Sequence, residues 1–422
     1  MSSQDKKRPQ KGRGKTGARR AAATMLAAIE RGKTLDEARD KLADLRDSDR
    51  NLADAIVQAT LRHYGEIDAL LRRHVKKMPP LSSLARPLLA IGAAQLIYMN
   101  VPSHAALHET VSATGRREQP YRGLINAVLR NIARAQDANE LPAPDPLLNL
   151  PDWLRDNWLD FYGVEKTTAI AAALADGPSL DLCFKSAAAA KDWAAQYGGV
   201  FLPPSHVRLA ESTDITKLAG FAEGDFWVQN AAGQPAAQLM AACTAPSHML
   251  DICAAPGGKT LQLAAAGHQV SALDISAPRL KRLADNMART KLDGQMQEVI
   301  CADALDWQPT ALFDAILLDA PCTATGTLRR HPDVLRHRSA GQMARLVDLQ
   351  TALLARAADW LKPEGVLAYS VCSLQHEEGD ARIAHFLESR ADFTRLESDA
   401  PRRLTPDENM DGFFIALLQK AG

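Results

Sequence analysis

The sequence predicts a multidomain chain: an all-α bundle, a small α+β module, and an α/β domain whose sheet is mostly parallel. Three observations point there. Apolar residues recur at helical spacing from about residue 20 to residue 135. A stretch rich in Pro, Asp and Asn interrupts that pattern at 136–151. From residue 231 onward, short β-favouring runs alternate with helical segments, as in a parallel sheet with helices on both faces. A length of 422 residues accommodates these parts as separate cores.

Residues 1–20 carry eight Lys or Arg and one acid, with Gly, Pro and Ser between them. They read as a disordered basic arm of the kind that touches nucleic acid. The arm lacks an apolar stretch, so no secretory signal is expected. The apolar run 87–101 is too short for a bilayer and contains Gln95 and Asn100. Six cysteines show neither metal-ligand spacing nor a disulfide framework. A cytoplasmic protein with reduced thiols, without metal or membrane partner and acting as a monomer, is the expectation.

Within 21–135 the bundle begins with ARRAAATMLAAIERG and continues through SDRNLADAIVQATLRHYGEIDALLRRHV, read as one helical stretch. RPLLAIGAAQLIYM is apolar nearly all round and predicts the central helix. Pro102 and Ser103 restart a helix, with Ser103 the expected cap. RGLINAVLRNIAR closes the bundle, placing Arg122, Arg130 and Arg134 opposite Leu124, Ile125 and Val128. His104 and His108 read as a surface pair, since no third ligand accompanies them.

After the linker at 136–151, residues 152–230 form the small module. It opens with a short helix carrying Trp153, Trp158, Phe161 and Tyr162, aromatics weighed as core before base stacking. A second helix to about residue 175, a strand near 179–184, an Ala-rich helix and a strand at 205–209 follow, then WVQNAAGQPAAQLM as turn and helix.

The domain at 231–422 carries the chemistry. HMLDIC, QVSALDI, QEVICAD, FDAILLDA and GVLAYSVCS read as strands, and FFIALLQK as an antiparallel strand at the sheet end. Between the first strand and its helix lies AAPGGK, whose Gly257 and Gly258 let backbone approach a ligand while free amides favour an anion. It is not GxGxxG, and Cys253 stands where a phosphate-binding loop needs glycine, so dinucleotides and nucleoside triphosphates fit poorly. Asp274, Asp303 and Asp319 end successive strands. Acids in those places suit ribose hydroxyls and an adenine edge, describing a pocket for an adenosine-bearing ligand without pyrophosphate.

LLDAPCTATG delivers Cys322 behind Asp319 and Pro321, and a later strand end delivers Cys372. Two thiols suit chemistry at C5 of a pyrimidine. A thiolate adding at C6 makes C5 nucleophilic toward an electrophilic methyl group, and the thiol must afterwards be expelled. Asp319 is placed to hydrogen-bond the ring nitrogen. On chemistry alone either cysteine can attack.

DICAAPGGKT, ALDIS, LLDAPCTATGTLRRHPDV and YSVCSLQHEE together resemble the RsmB (Fmu or Sun) type of RNA 5-methylcytosine methyltransferase. The bundle is similar to the NusB-type RNA-binding domain of that group. The resemblance spans nearly the whole chain. It implies a Rossmann-like class I methyltransferase domain, S-adenosylmethionine as cofactor, and small-subunit (16S) ribosomal RNA as substrate. It further implies Cys372 as nucleophile and Cys322 in product release. Cys253, Ala254, Ala255, Pro256, Gly257, Gly258 and Lys259, with Asp274, Asp303 and Asp319, would line the cofactor site. Departures are Thr323-Ala324 for the usual Ser-Gly, Val371 for Thr, and Gly379 for Asn. A transfer-RNA methyltransferase shares the catalytic residues. A non-catalytic RNA-binding factor would keep the bundle but has no use for the cysteine pair. RNA affinity is expected from the arm, the bundle arginines and Arg329-Arg330-His331.

Overall fold

The computed structural model describes residues 17–210, 214–243, 245, 247–397 and 403–422. The chain forms two compact units, Met1–Leu150 and Pro151–Gly422. Most of the expected basic arm, residues 1–16, lies outside the described residues. Arg19 and Arg20 belong instead to the first helix, Ala18–Ile29. Their charges have partners in the bundle, because Arg19 Nε donates to the buried Gln95 side chain at 2.9 Å and Arg20 pairs with Glu118 at 3.2 Å.

In the first unit, the central helix Ala85–Ile97 is buried on nearly every side. Gly92 lets it approach the helix Arg122–Asp137, since a β-carbon there would fall 2.5 Å from Leu129 Cδ1. The helical stretch expected as continuous from 48 to 75 is two helices, Asp47–Arg62 and Tyr64–His74, broken at His63. The cause lies in the linker. Asn149 Oδ1 accepts the Gly65 and Glu66 amides at 3.1 and 3.2 Å, capping the second helix from a short turn at Pro146–Asn149. The end of the linker is thus folded onto the bundle. Ser103 is already helical and caps nothing; Pro102 holds the cap position of Ser103–Ser112.

The second unit opens with two helices, as expected, which together span Asp152–Ala173 and meet at Gly163, whose φ of 78° and ψ of 173° are non-helical. Four antiparallel strands follow: β1 (Leu180–Phe184), β2 (Val200–Leu202), β3 (His206–Leu209) and β4 (Phe226–Val228), in the order β2-β3-β1-β4. The short β2 and β4 are additions to the expected pattern, and β4 is the start of the segment read as a turn. Asp181 of β1 is fully buried and accepts both Arg208 Nε and Nη2, at 2.7 and 3.0 Å, plus the Ala231 amide.

The large sheet contains β5 (His248–Ile252), β6 (Gln269–Asp274), β7 (Met296–Cys301), β8 (Phe313–Asp319), β9 (Leu361–Val371), β10 (Phe393–Leu396), β11 (Arg403–Leu404) and β12 (Phe413–Lys420). Its order is β10-β12-β9-β8-β5-β6-β7, with β11 on β12. Strands β5 to β9 pair in parallel, and β12 is antiparallel to both β9 and β10. β12 therefore lies inside the sheet, not at its end; the four-residue β10 covers it. The chain runs from β5 outward through β6 and β7, then returns to place β8 on the other side of β5. That reversal puts the crevice for a ligand at the carboxyl ends of β5 and β8.

Candidate active site

The crevice is built from the ends of β5, β6, β8 and β9. After β5 the loop turns sharply: Cys253 has φ 61°, and Gly257 has φ 105° as the helix Gly258–Ala265 begins. A β-carbon at Gly257 would fall 2.8 Å from Leu283 Cγ, so close helix approach also requires glycine. Asp274, at the end of β6, accepts the Ala255 amide at 3.1 Å on one oxygen and the Ser276 amide at 2.9 Å on the other. It ties its own loop to the glycine loop. Asp303 lies two residues past the end of β7, exposed, with Oδ1 accepting the Leu305 amide at 2.9 Å.

Beneath the loop, Asp251 is fully buried, and Thr260 Oγ1 donates to its Oδ2 at 2.6 Å. Burial, with Asp319 and Asp274 adding to it, pushes the Asp251 carboxyl up to about 7. Cys253 is shielded too, and burial together with Asp319 and Asp274 pushes its thiol up to about 12. It is a loop residue without the surroundings of a reactive thiol.

At the end of β8, Asp319 accepts Lys259 Nζ at 2.8 Å and Ser370 Oγ at 3.0 Å. Burial works against the Lys259 charge, but Asp319 outweighs it and holds the ammonium above its ordinary range. Just beyond, Cys322 Sγ lies 3.4 Å from Cys372 Sγ. Contact with Cys372, then burial, raises the Cys322 thiol well above the ordinary thiol range. β8 and β9 are adjacent and parallel, with Asp319 opposite Ser370, so fifty residues of sequence close into one site.

Against this geometry, residues 239–419 match the family model described as 16S rRNA methyltransferase RsmB/F, and residues 16–134 match the NusB family. The chain is 34% identical to ribosomal RNA small subunit methyltransferase B of Xanthomonas campestris pv. campestris, over 96% of its own length and 97% of the relative's. The chain belongs to the ribosomal RNA small subunit methyltransferase B family. The Vibrio cholerae protein of that name is also 34% identical, over 95% of this chain and 96% of its own. A solved structure, a methyltransferase homolog protein from Pyrococcus horikoshii, covers 65% of this chain and 98% of its own at 26% identity and a TM-score of 0.57.

Membership in the RsmB/F family makes the chain an S-adenosylmethionine-dependent small-subunit ribosomal RNA methyltransferase with a NusB domain. The crevice gathers Asp274, Asp319, Lys259, Cys322 and Cys372 as the motifs suggested, but Arg329 and Arg330 are not free to meet RNA. Arg329 is buried and donates to the Gly177 carbonyl at 3.0 Å. Arg330 pairs with Asp411 at 2.5 Å and lies 3.8 Å from Asp181. The basic pattern suggests a phosphate contact because the buried acids that hold Arg330, 149 and 81 residues away in sequence, leave no local sign.

Three residues of the site escaped sequence reading. Ser370 orients Asp319 from the neighbouring strand. Ile275, directly after Asp274, is 68% exposed at the mouth of the crevice, an apolar surface beside the acid. Glu378 is fully buried beneath both cysteine loops. An apolar residue following a strand-end acid is a readable signal for Ile275; Ser370 and Glu378 lie within YSVCSLQHEE, but nothing in that segment assigns either a role. Among the described residues no group of acids, histidines and cysteines could hold a metal ion, and no helix is long and apolar enough to cross a membrane.

Proposed function

We propose that the chain forms 5-methylcytosine in small-subunit ribosomal RNA through a covalent adduct between Cys372 and C6 of the target ring. The observation that carries this reading is the 3.4 Å approach of the Cys322 and Cys372 sulfurs beside Asp319. Either thiol can donate in that contact. Cys372 is assigned the attack because the family resemblance implies it, and the buried Cys322 beside it the release of product.

The cofactor side fits an adenosine-bearing ligand with a carboxylate. The backbone from Cys253 to Lys259 would hold the methionine carboxylate at the helix start, where amides lack helical partners. Asp274 would hold the ribose, since each of its oxygens retains a second acceptor position beyond the amide it already takes. Asp303 and the exposed Ile275 would flank the adenine. S-adenosylmethionine, when bound, supplies an electrophilic methyl group.

As Cys372 forms the S–C6 bond, the C5=C6 electron pair becomes available at C5, with the ring nitrogen hydrogen-bonded from the Asp319 side. C5 would take the methyl group as the sulfonium S–CH3 bond breaks to leave a neutral thioether, and would later lose its proton to solvent. The S–C6 bond then breaks, C5=C6 re-forms, and Cys372 leaves while Cys322 promotes the departure. The target cytosine must be unstacked to meet both thiols. The exposed arginines of the NusB domain, Arg122, Arg130 and Arg134, supply phosphate contacts.

Transfer from labelled S-adenosylmethionine to unmethylated 16S ribosomal RNA tests this reading. Cys372→Ala abolishes transfer, Cys322→Ala leaves an RNA adduct stable to denaturing electrophoresis, and bisulfite sequencing reads the product as 5-methylcytosine. An adduct from Cys372→Ala would reverse the two roles.

A further inference from the structure

Glu378 lies six residues past Cys372, fully buried, and no lysine or arginine pairs with it among the described residues. Its carboxylate is satisfied by four donors. Oε1 accepts the Thr323 amide at 2.9 Å and Gln350 Nε2 at 3.0 Å. Oε2 accepts the hydroxyls of Thr323 and Ser373. Thr323 and Ser373 are the residues that directly follow the two cysteines. One carboxylate therefore grips both cysteine loops at the same relative position.

Further ties run the same way. The Gly326 amide donates to the Cys372 carbonyl at 3.0 Å, and Thr325 Oγ1 accepts the Leu374 amide at 3.0 Å. Arg338 Nε donates to the Thr323 carbonyl at 3.2 Å from the outer side. Gln350 reaches in from the helix Ala340–Asp359 and also donates to the Pro321 carbonyl at 2.9 Å, so Glu378 is anchored to a rigid element. Every member of the cluster (Thr323, Ser373, Gln350, Glu378) is buried. Such a network has little freedom to adjust, and a small misplacement of reacting groups is costly.

We propose that Glu378 is the positioning residue that sets the Cys322 thiol against the Cys372 sulfur for product release, acting through the hydroxyls of Thr323 and Ser373. The inference rests on the two-cysteine reading given above. It acts by hydrogen bonding. An amide in place of the carboxylate can keep its oxygen toward the Thr323 amide and Gln350 and donate to the two hydroxyls, which can turn to accept.

The test measures transfer rate, S-adenosylmethionine binding and persistence of the RNA adduct in the full chain. Glu378→Ala retains cofactor affinity, lowers the transfer rate by about a hundredfold and lengthens adduct lifetime. Glu378→Gln restores most of the rate. If Glu378→Ala does not fold, Thr323→Val removes one arm alone: adduct persists as in Cys322→Ala, and Thr323→Ser restores release. Wild-type release by Thr323→Val overturns the proposal, as does a Glu378→Gln protein as slow as Glu378→Ala. Failure of Cys322→Ala to trap any adduct would instead remove the two-cysteine reading. Adduct from Cys322→Ala together with wild-type release by Thr323→Val removes only the role of Glu378.

Discussion

Lys259 Nζ sits 2.8 Å from Asp319 Oδ2 and 4.9 Å from the centre of the Phe413 ring. The lysine comes from the glycine loop after β5 and the acid from the end of β8, so the pair bridges the two strands that flank the topological reversal. Side-chain exposure is 13% for Lys259 and 33% for Asp319, so the ammonium is shielded while the carboxylate still faces the crevice. Substituting Lys259→Met leaves Asp319 with Ser370 as its remaining partner. Transfer should slow by about a hundredfold, as for loss of one fixed electrostatic contact in a closed site. RNA affinity should not change; single-turnover methylation and filter binding separate the two.

Asp251 gives a pH signature. Its folded value of about 7 lies above the ordinary 3.8, so the folded state holds a proton that the unfolded chain has released. Stability therefore falls as pH rises through that interval, by on the order of 2–4 kcal/mol. Asp251→Asn keeps an acceptor for Thr260 and removes the titration. Thermal unfolding between pH 5 and pH 8 should show the variant gaining on the parent as pH increases; equal slopes would contradict the assignment.

Ala324 stands in left-handed backbone, φ 59°, at the position where the family pattern usually has glycine. A β-carbon there costs roughly 1–2 kcal/mol, and glycine gives back part of that in chain entropy. Ala324→Gly should stabilise the protein by about 0.5–1 kcal/mol. Denaturant midpoints measure it.

Arginines divide by partner. Arg130 and Arg134 are exposed on the helix Arg122–Asp137, and replacing each by Gln should lower the slope of log affinity against log salt by about 0.7–0.9. Arg330→Gln should leave that slope unchanged and lower the melting temperature, because it leaves Asp411 and Asp181 short of a buried cation.

Gly326 and Gly412 touch backbone to backbone, with the Gly412 amide donating to the Gly326 carbonyl at 2.7 Å. A β-carbon at Gly326 would overlap the Gly412 carbonyl, which is main chain and cannot swing aside. Gly326→Ala should destabilise by about 1–3 kcal/mol through overpacking and slow transfer with it. Calorimetry and initial rates on the same sample check both effects.

The strand-end residues were legible because each sits inside a local pattern: a short apolar run, then an acid, a glycine or a cysteine. Asp274, Asp319, Cys322 and Cys372 could be placed that way. Ser370 and Glu378 could not, since their importance depends on β8 lying beside β9 and on a helix that starts at Ala340. The same limit explains Arg330, whose fate is decided by acids on β1 and before β12. Short edge elements such as β2, β4 and β10 offered three or four residues each, too few to show a period. The break at His63 came from a cap supplied more than eighty residues later.

The ion cluster around Asp181 has a consequence for how this enzyme can be cut and recombined. Asp181 and Arg208 belong to the small sheet, Arg330 to the segment after Cys322, and Asp411 to the approach to β12. Arg289 adds a second tie, donating to the Phe221 and Phe226 carbonyls at 2.9 Å. A graft that exchanged 231–422 alone would strand a buried carboxylate on one parent and a buried guanidinium on the other. The transplantable piece is Pro151–Gly422, and chimeras intended to redirect the substrate should be joined at its first residue.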